Sequence, residues 1–230
     1  MCKTGTVEDV PFQPHASVVT TLSGADPATE KAYRALLDAV VSGSARPGEL
    51  LSEADVAAHL GMSRTPVRAA FVRLAGEGLL TLYPRRGAVV APVDEQEARD
   101  LLDTRLMFET TAVGWLAARG VPGDLAGTLR TCLAQQDAAV AGDPLAFARA
   151  DRALHEAVVA AAGNPVAAEL FTATGPRLLR LIHRVAGRDA GTRARLAAEH
   201  ARLVELALAG DAPGYTALLR THVEEAHRAR

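Results

Sequence analysis

The sequence predicts a mainly α protein in two parts: a small module of three helices closed by a β-hairpin, then an all-α helical bundle. Three observations carry that prediction. Apolar residues recur at the helical spacing i, i+3, i+4, i+7 over most of the 230 residues, and only two short runs read as strands. Aromatic residues are few, at 4%, while Ala, Leu, Val and Arg dominate, a composition that suits helices. Gly and Pro cluster between the periodic segments and punctuate the chain.

Residues 1–27 contain Pro11, Pro14, Gly24 and Pro27 without sustained periodicity and read as a flexible tail. Residues 28–41 carry the stripe Tyr33, Leu36, Leu37, Val40 and Val41, after which Gly43, Pro47 and Gly48 break the helix. Ser52-Glu53-Ala54-Asp55 has the form of a capping box and opens a short helix through Val56 and Leu60. Gly61 turns the chain, and Ser63 stands where it would cap a third helix with the stripe Val67, Ala70, Phe71 and Leu74. Pro66 falls in the first turn, where a missing N–H does no harm. Two β-prone runs, 79–83 and 88–90, flank Pro84-Arg85-Arg86-Gly87 and form a hairpin with a basic tip. The first module therefore spans 28–92. The bundle occupies 94–230, with helices expected near 94–119, 122–141, 144–162, 165–186, 192–209 and 212–229. Gly175-Pro176 is expected to kink or split the fourth of these.

The formal charge of −2 excludes an overall cationic coat, so any nucleic-acid contact has to come from a local patch. One exists. Between residues 61 and 90 lie Arg64, Arg68, Arg73, Arg85 and Arg86 against Glu77 alone, a local charge of +4. Lysine is nearly absent, with only Lys3 and Lys31. Cys2 in the tail and Cys132 on a stripe with Leu125, Leu129 and Leu133 do not make a disulfide framework. No apolar run has the length of a membrane span or follows the start as a secretory signal would, so the expectation is a cytoplasmic protein with no membrane partner.

A short helix, a Gly-containing turn and a second helix opening on polar residues form the helix-turn-helix pattern, and the hairpin makes it a winged one. Such shapes also occur in helical proteins that never touch DNA. Here Arg64 and Arg68 lie one turn apart, beside Thr65 and off the apolar stripe, so they are placed to enter a major groove and read guanine with two hydrogen bonds. Ser63 and Thr65 sit at the helix N-terminus, where backbone N–H groups favour phosphate. Arg73 points roughly opposite Arg64 and is expected to pair internally or touch the flank.

In the bundle, four polar side chains interrupt apolar stripes. Asp151 and His155 lie among Phe147, Leu154 and Val158; His200 among Leu196, Leu203, Val204 and Ala207; His222 among Tyr215, Leu218, Leu219 and Ala226. A polar group on such a face is unfavourable by several kcal/mol, roughly, unless paired or ligated. Taken singly, each histidine reads as a hydrogen-bonded core residue; together, one carboxylate and three imidazoles form a metal-ligand set. Asp151 and His155 are one turn apart, so both reach one ion from one face, and the ion would tie three helices together. Nitrogen and oxygen ligands suit a divalent Zn, Ni, Mn or Fe, with Zn the first expectation.

Pro47-Gly48-Glu49-Leu50-Leu51-Ser52-Glu53 and Leu60-Gly61-Met62-Ser63-Arg64-Thr65-Pro66-Val67-Arg68 closely resemble the GntR family of bacterial winged-helix regulators. Leu74, Glu77-Gly78-Leu79-Leu80, Pro84 and Arg86-Gly87 continue the match. The resemblance implies that Ser63, Arg64, Thr65, Arg68, Arg86 and the wing-tip Gly87 face DNA. Ala54 and Ala69 depart from it, standing where members often carry a polar residue. Asp151-Arg152-Ala153-Leu154-His155 with Gly163-Asn164, Glu199-His200, and Gly210-Asp211 leading to His222 resemble the C-terminal ligand-binding (FCD-type) domain of the FadR branch. There the resemblance implies that Asp151, His155, His200 and His222 are the metal ligands and that Arg105 belongs to the effector pocket. The alternative for Arg105 is an i, i+4 pair with Glu109 on a solvated face.

The expectation is therefore a homodimeric transcription regulator, a repressor of a metabolic operon, that binds a palindromic operator in double-stranded DNA and senses a small carboxylate at a metal-containing site. Two alternatives stand beside it: a metalloenzyme whose open metal positions activate water, and a regulator whose metal is purely structural.

Overall fold

A computed structural model describes residues 26–228, with side chains through Glu225. The expected tail over residues 1–27, with His15, lies almost wholly outside the described residues, as does the side chain of His227. The first module comprises α1 (Pro27–Ser42), β1 (Leu50–Leu51), α2 (Glu53–Leu60), α3 (Arg64–Gly76), β2 (Leu80–Tyr83) and β3 (Gly87–Val90). The bundle follows as α4 (Glu95–Arg119), α5 (Leu125–Ala139), α6 (Pro144–Ala161), α7 (Pro165–Ala186), α8 (Ala190–Ala209) and α9 (Ala212–Arg228).

Side-chain caps set most helix starts. Asp26, Ser52, Asp94, Asp143, Asn164 and Asp189 each accept a hydrogen bond from a backbone N–H in the first turn of the helix they precede. Ser52 caps through Ala54 N, one residue earlier than a capping box requires. Ser63, expected as a cap, makes no side-chain cap hydrogen bond, so a side chain satisfies none of the first N–H groups of α3.

The sheet has the order β1-β3-β2, all antiparallel. The strand β1 was not legible in the sequence because two residues carry no periodicity; it exists through its pairing of Leu50 with Val89 and Leu51 with Ala88. Gly87 is where this sheet is tightest. Its φ is +112°, and a Cβ there would lie 2.1 Å from the Leu51 carbonyl oxygen. The glycine is required by the backbone of the neighbouring strand.

Gly175-Pro176 does not split its helix: α7 is a single helix with Pro176 inside it, and both residues are buried. Pro176 removes one backbone donor. A Cβ on Gly175 would approach Arg152 Nη1 to 2.5 Å, so the pair lets the Arg152 side chain of α6 lie close against α7.

The two parts share an apolar cluster. Tyr33, Leu36, Phe71 and Leu74 of the module belong to the same buried set as Leu101 of α4, Val159 of α6 and Phe171, Leu178, Leu179 and Ile182 of α7. Arg149 of α6 pairs with Asp38 of α1, and the Arg177 side chain of α7 lies over Gly78, 3.3 Å from where its Cβ would be. A second cluster, around Leu129, Leu154, Leu203, Tyr215 and Leu219, fills the bundle. The polar residues described next are embedded between helices α4, α5, α6, α8 and α9.

Replacing Gly87 by Ala forces a fixed backbone contact and a disfavoured φ together. The expected result is a loss of roughly 2 kcal/mol or more in the free energy of unfolding, read from urea denaturation of the full chain.

Candidate metal centre and nucleic-acid interface

Helix α6 presents Asp151 and His155, α8 presents His200 and α9 presents His222; all four are at most 2% exposed. The structure brings together the four residues singled out in the sequence, and the three histidines have ligand-type atoms within 4.8 Å of one another. His200 Nε2 is 3.3 Å from His222 Nε2 and 3.4 Å from Asp151 Oδ2, while His155 Nε2 is 3.6 Å from Asp151 Oδ1.

The outer nitrogens decide the protonation pattern. His155 Nδ1 is 2.6 Å from Glu109 Oε2, His200 Nδ1 is 2.8 Å from Gln136 Oε1 and His222 Nδ1 is 2.6 Å from Glu199 Oε2. Each Nδ1–H donates outward to an acceptor, which turns each Nε2 lone pair inward. Burial, then the neighbouring His222, His155 and Arg105, hold the pKa of His200 well below its ordinary 6.5. Burial also lowers that of His222, although Glu199 pulls the other way. Two neutral imidazoles then face each other lone pair to lone pair at 3.3 Å, with no proton between them.

That arrangement fits a cation. Two nitrogens bound to one ion at about 2.1 Å, at angles between square and tetrahedral, stand roughly 3.0–3.4 Å apart. The 3.3 Å separation of His200 and His222 falls in that range. Asp151 Oδ1 is buried without a hydrogen-bond partner, an acceptor that is stabilised by positive charge beside it. The donor set, three imidazoles and a carboxylate with no thiolate, suits Zn, Ni, Mn or Fe without choosing among them.

Arg105 corrects one expectation. Its pair with Glu109 exists, at 2.9 Å, but it is not on a solvated face: Arg105 is 3% exposed and Glu109 fully buried. The guanidinium reaches inward, where Nη2 is hydrogen-bonded to His155 Nε2 and lies 3.4 Å from His222 Nε2 and 3.7 Å from Asp151 Oδ1. It occupies the point on which the lone pairs converge and supplies positive charge there. A metal ion at that point and Arg105 in this position exclude each other. Burial alone would raise the pKa of Glu109, but His155, the Arg105 charge and a hydrogen bond from Tyr215 hold it down. The Tyr215 hydroxyl donates to the same carboxylate at 2.6 Å.

Sequence reasoning missed Gln136 and the orienting roles of Glu109, Glu199 and Tyr215. Glu109 and Gln136 are polar interruptions of apolar stripes, among Ala112, Val113 and Leu116 in α4 and Leu129, Cys132 and Ala139 in α5. The rule that found the histidines applies to both.

The second site is on the module. Ser63, Arg64, Thr65 and Arg68 are exposed on the first turns of α3, whose other face buries Val67, Ala70, Phe71 and Leu74. Arg64 and Arg68, together with the wing, border an open groove of about 600 Å³ that also includes Ala54, Tyr83, Arg85, Arg86 and Gly87. Arg73 turns away, bonding Glu77 and Glu30 at 3.1 and 3.0 Å and stacking over the Tyr33 ring at 3.4 Å, where it joins α3 to α1. At the wing tip Arg86 N donates to Tyr83 O at 3.0 Å, which closes a turn with Pro84 and Arg85 at its centre. Arg85 has φ +64°, a conformation that favours Gly or Asn at this place in a turn.

Residues 28–90 match the family described as bacterial regulatory proteins, gntR family, and residues 100–225 match the FCD domain. An HTH-type transcriptional regulator of Streptomyces ambofaciens is 30% identical over 191 residues, covering 83% of this chain and 80% of that protein. An HTH-type regulator of Agrobacterium vitis, from the TAR-I ttuE-ttuC' intergenic region, is 28% identical over 71% of this chain and 100% of its own length. A GntR transcriptional regulator from Rhodococcus sp. RHA1 has the same fold, with a TM-score of 0.72 at 24% identity over 88% of this chain and 97% of that one. These relatives are regulators, which answers the metalloenzyme alternative. The winged module followed by the helical domain is thus a shared architecture, and the chain belongs to the GntR family of bacterial transcription regulators, with an FCD ligand-binding domain.

Proposed function

We propose that this regulator is a homodimeric repressor that binds a palindromic operator, holds one divalent metal ion on Asp151, His155, His200 and His222, and responds to a small carboxylate at that ion. The observation that carries the reading is the convergence of three inward-facing Nε2 lone pairs and the Asp151 carboxylate, whose Oδ1 has no hydrogen-bond partner, on one point. Bound there, the metal supplies positive charge and open coordination positions for an acid oxygen. Arg105, displaced from the focus but still anchored by Glu109, is placed to meet the acid's other oxygen.

Helix α7 supports coupling to DNA. Leu178 and Ile182 border the cavity beside Arg105, Asp151 and His222, and the same two residues belong to the apolar cluster shared with α1 and α3. An acid that favours one position of α7 shifts the placement of the module, provided it binds the two states with different affinity. On DNA, Arg64 and Arg68 enter the major groove, Ser63 and Thr65 meet phosphate at the uncapped start of α3, and Arg85 and Arg86 follow the backbone from the wing.

Metal-depleted protein should take up one equivalent of zinc per chain with a rise in melting temperature. Titration calorimetry of His200→Ala should show that uptake abolished, and Gln136→Ala should weaken it by roughly 10–100-fold. Because burial keeps His200 and His222 neutral, the affinity should hold through neutral pH and fall only on the acid side of 6.5, where protons compete for Nε2.

For DNA, Arg64→Ala should lose about 1–3 kcal/mol of binding and relax specificity at one base pair, as fluorescence anisotropy on an operator series would show. Arg85→Gly relieves the positive φ, so it should leave the melting temperature equal or higher while reducing affinity and the salt slope on every sequence. The regulatory claim is tested by gel shifts of the metal-loaded protein with and without carboxylates. Operator release by an acid is expected, and binding indifferent to every acid would refute the sensor.

A further inference from the structure

We infer that the acid sensed by this chain has a short, bare hydrocarbon body and is not a polyhydroxylated sugar acid. The inference rests on the acid-sensing reading above and concerns the wall that would enclose the ligand. The cavity next to the metal-type residues has one polar end, formed by Arg105, Asp151 and His222. Its body is walled by Leu102 of α4, Leu178, Ile182 and Val185 of α7 and Leu196 of α8. Among the described residues lining it there is no hydroxyl and no amide side chain; the exposed Arg184 is the one further polar group.

A carboxylate held at the polar end would direct its remaining atoms into this apolar space. Except beside the exposed Arg184, hydroxyls on those atoms would leave water and meet no partner, which is unfavourable for each of them. An apolar pocket rejects a ligand that only adds a hydroxyl by roughly 100-fold. Size narrows the class further. The cavity is small, about 40 Å³. A body of a few carbons fits.

The test compares two four-carbon acids, alpha-hydroxybutyrate and threonate. They share the carboxylate and the neighbouring hydroxyl and differ only in whether the tail is bare or hydroxylated. Titration calorimetry of the zinc-loaded full chain should show alpha-hydroxybutyrate binding at least roughly 100-fold tighter. Val185→Thr, which places a hydroxyl in the wall at nearly constant volume, should narrow that ratio; its melting temperature establishes that it is folded, and if it is not, the wild-type ratio alone decides. Threonate binding as tightly as alpha-hydroxybutyrate, or more tightly, overturns the apolar-body inference and leaves acid sensing standing. If neither these acids nor longer ones bind while zinc does, the acid-sensing reading fails and this inference falls with it.

Discussion

Three imidazoles whose outer N–H groups are committed to Glu109, Gln136 and Glu199 have no freedom about where their remaining lone pairs point. They point at one another and at the Asp151 carboxylate, buried inside the bundle. Such a concentration of acceptors is stable only around positive charge. The protein has two ways to supply it: the Arg105 guanidinium, which occupies the focus in this structure, or a metal ion that displaces it. Every helix of the bundle except α7 contributes a residue to this arrangement, so the identity of the cation bears on the packing of the whole domain.

Helix α7 stands outside the cluster and is placed to report on it. Its Leu178 and Ile182 border the cavity at the polar residues and also belong to the apolar cluster shared with the winged module. Its joint with α6 and the module is polar and incompletely satisfied: Arg152 Nη1 pairs with Glu156 Oε1 at 3.4 Å, but Arg152 Nε and Arg177 Nε are buried without hydrogen-bond partners. A joint that leaves polar atoms unpaired is less stable than a fully apolar one, and small rearrangements there are correspondingly inexpensive. Gly175 and Pro176 lie at this joint and interrupt the backbone ladder of α7 without ending the helix.

Much of this was legible in the sequence because the signals were strong and local. Each bundle helix is bounded by Gly, Pro or a capping Asp or Asn, and the observed helices fall where those residues place them. The four ligand-type residues were found because polar groups stood on apolar faces. Arg105 and Glu109 obeyed the same rule, but an i, i+4 ion pair is so common on exposed helices that the surface reading competed. Burial decided it. What the sequence could not show depends on distant partners: β1 exists only through β3, Gly87 is required by the Leu51 carbonyl, and the cavity wall is assembled from three helices far apart in the chain.

The central claim concerns one point in space, and diffraction at metal absorption edges tests it most directly. Crystals of protein purified without chelator, or soaked in zinc, should give one anomalous peak per chain about 2.1 Å from the Nε2 atoms of His155, His200 and His222, with the Arg105 guanidinium withdrawn. No peak after zinc soaking, with Arg105 still hydrogen-bonded at the focus, would contradict the account.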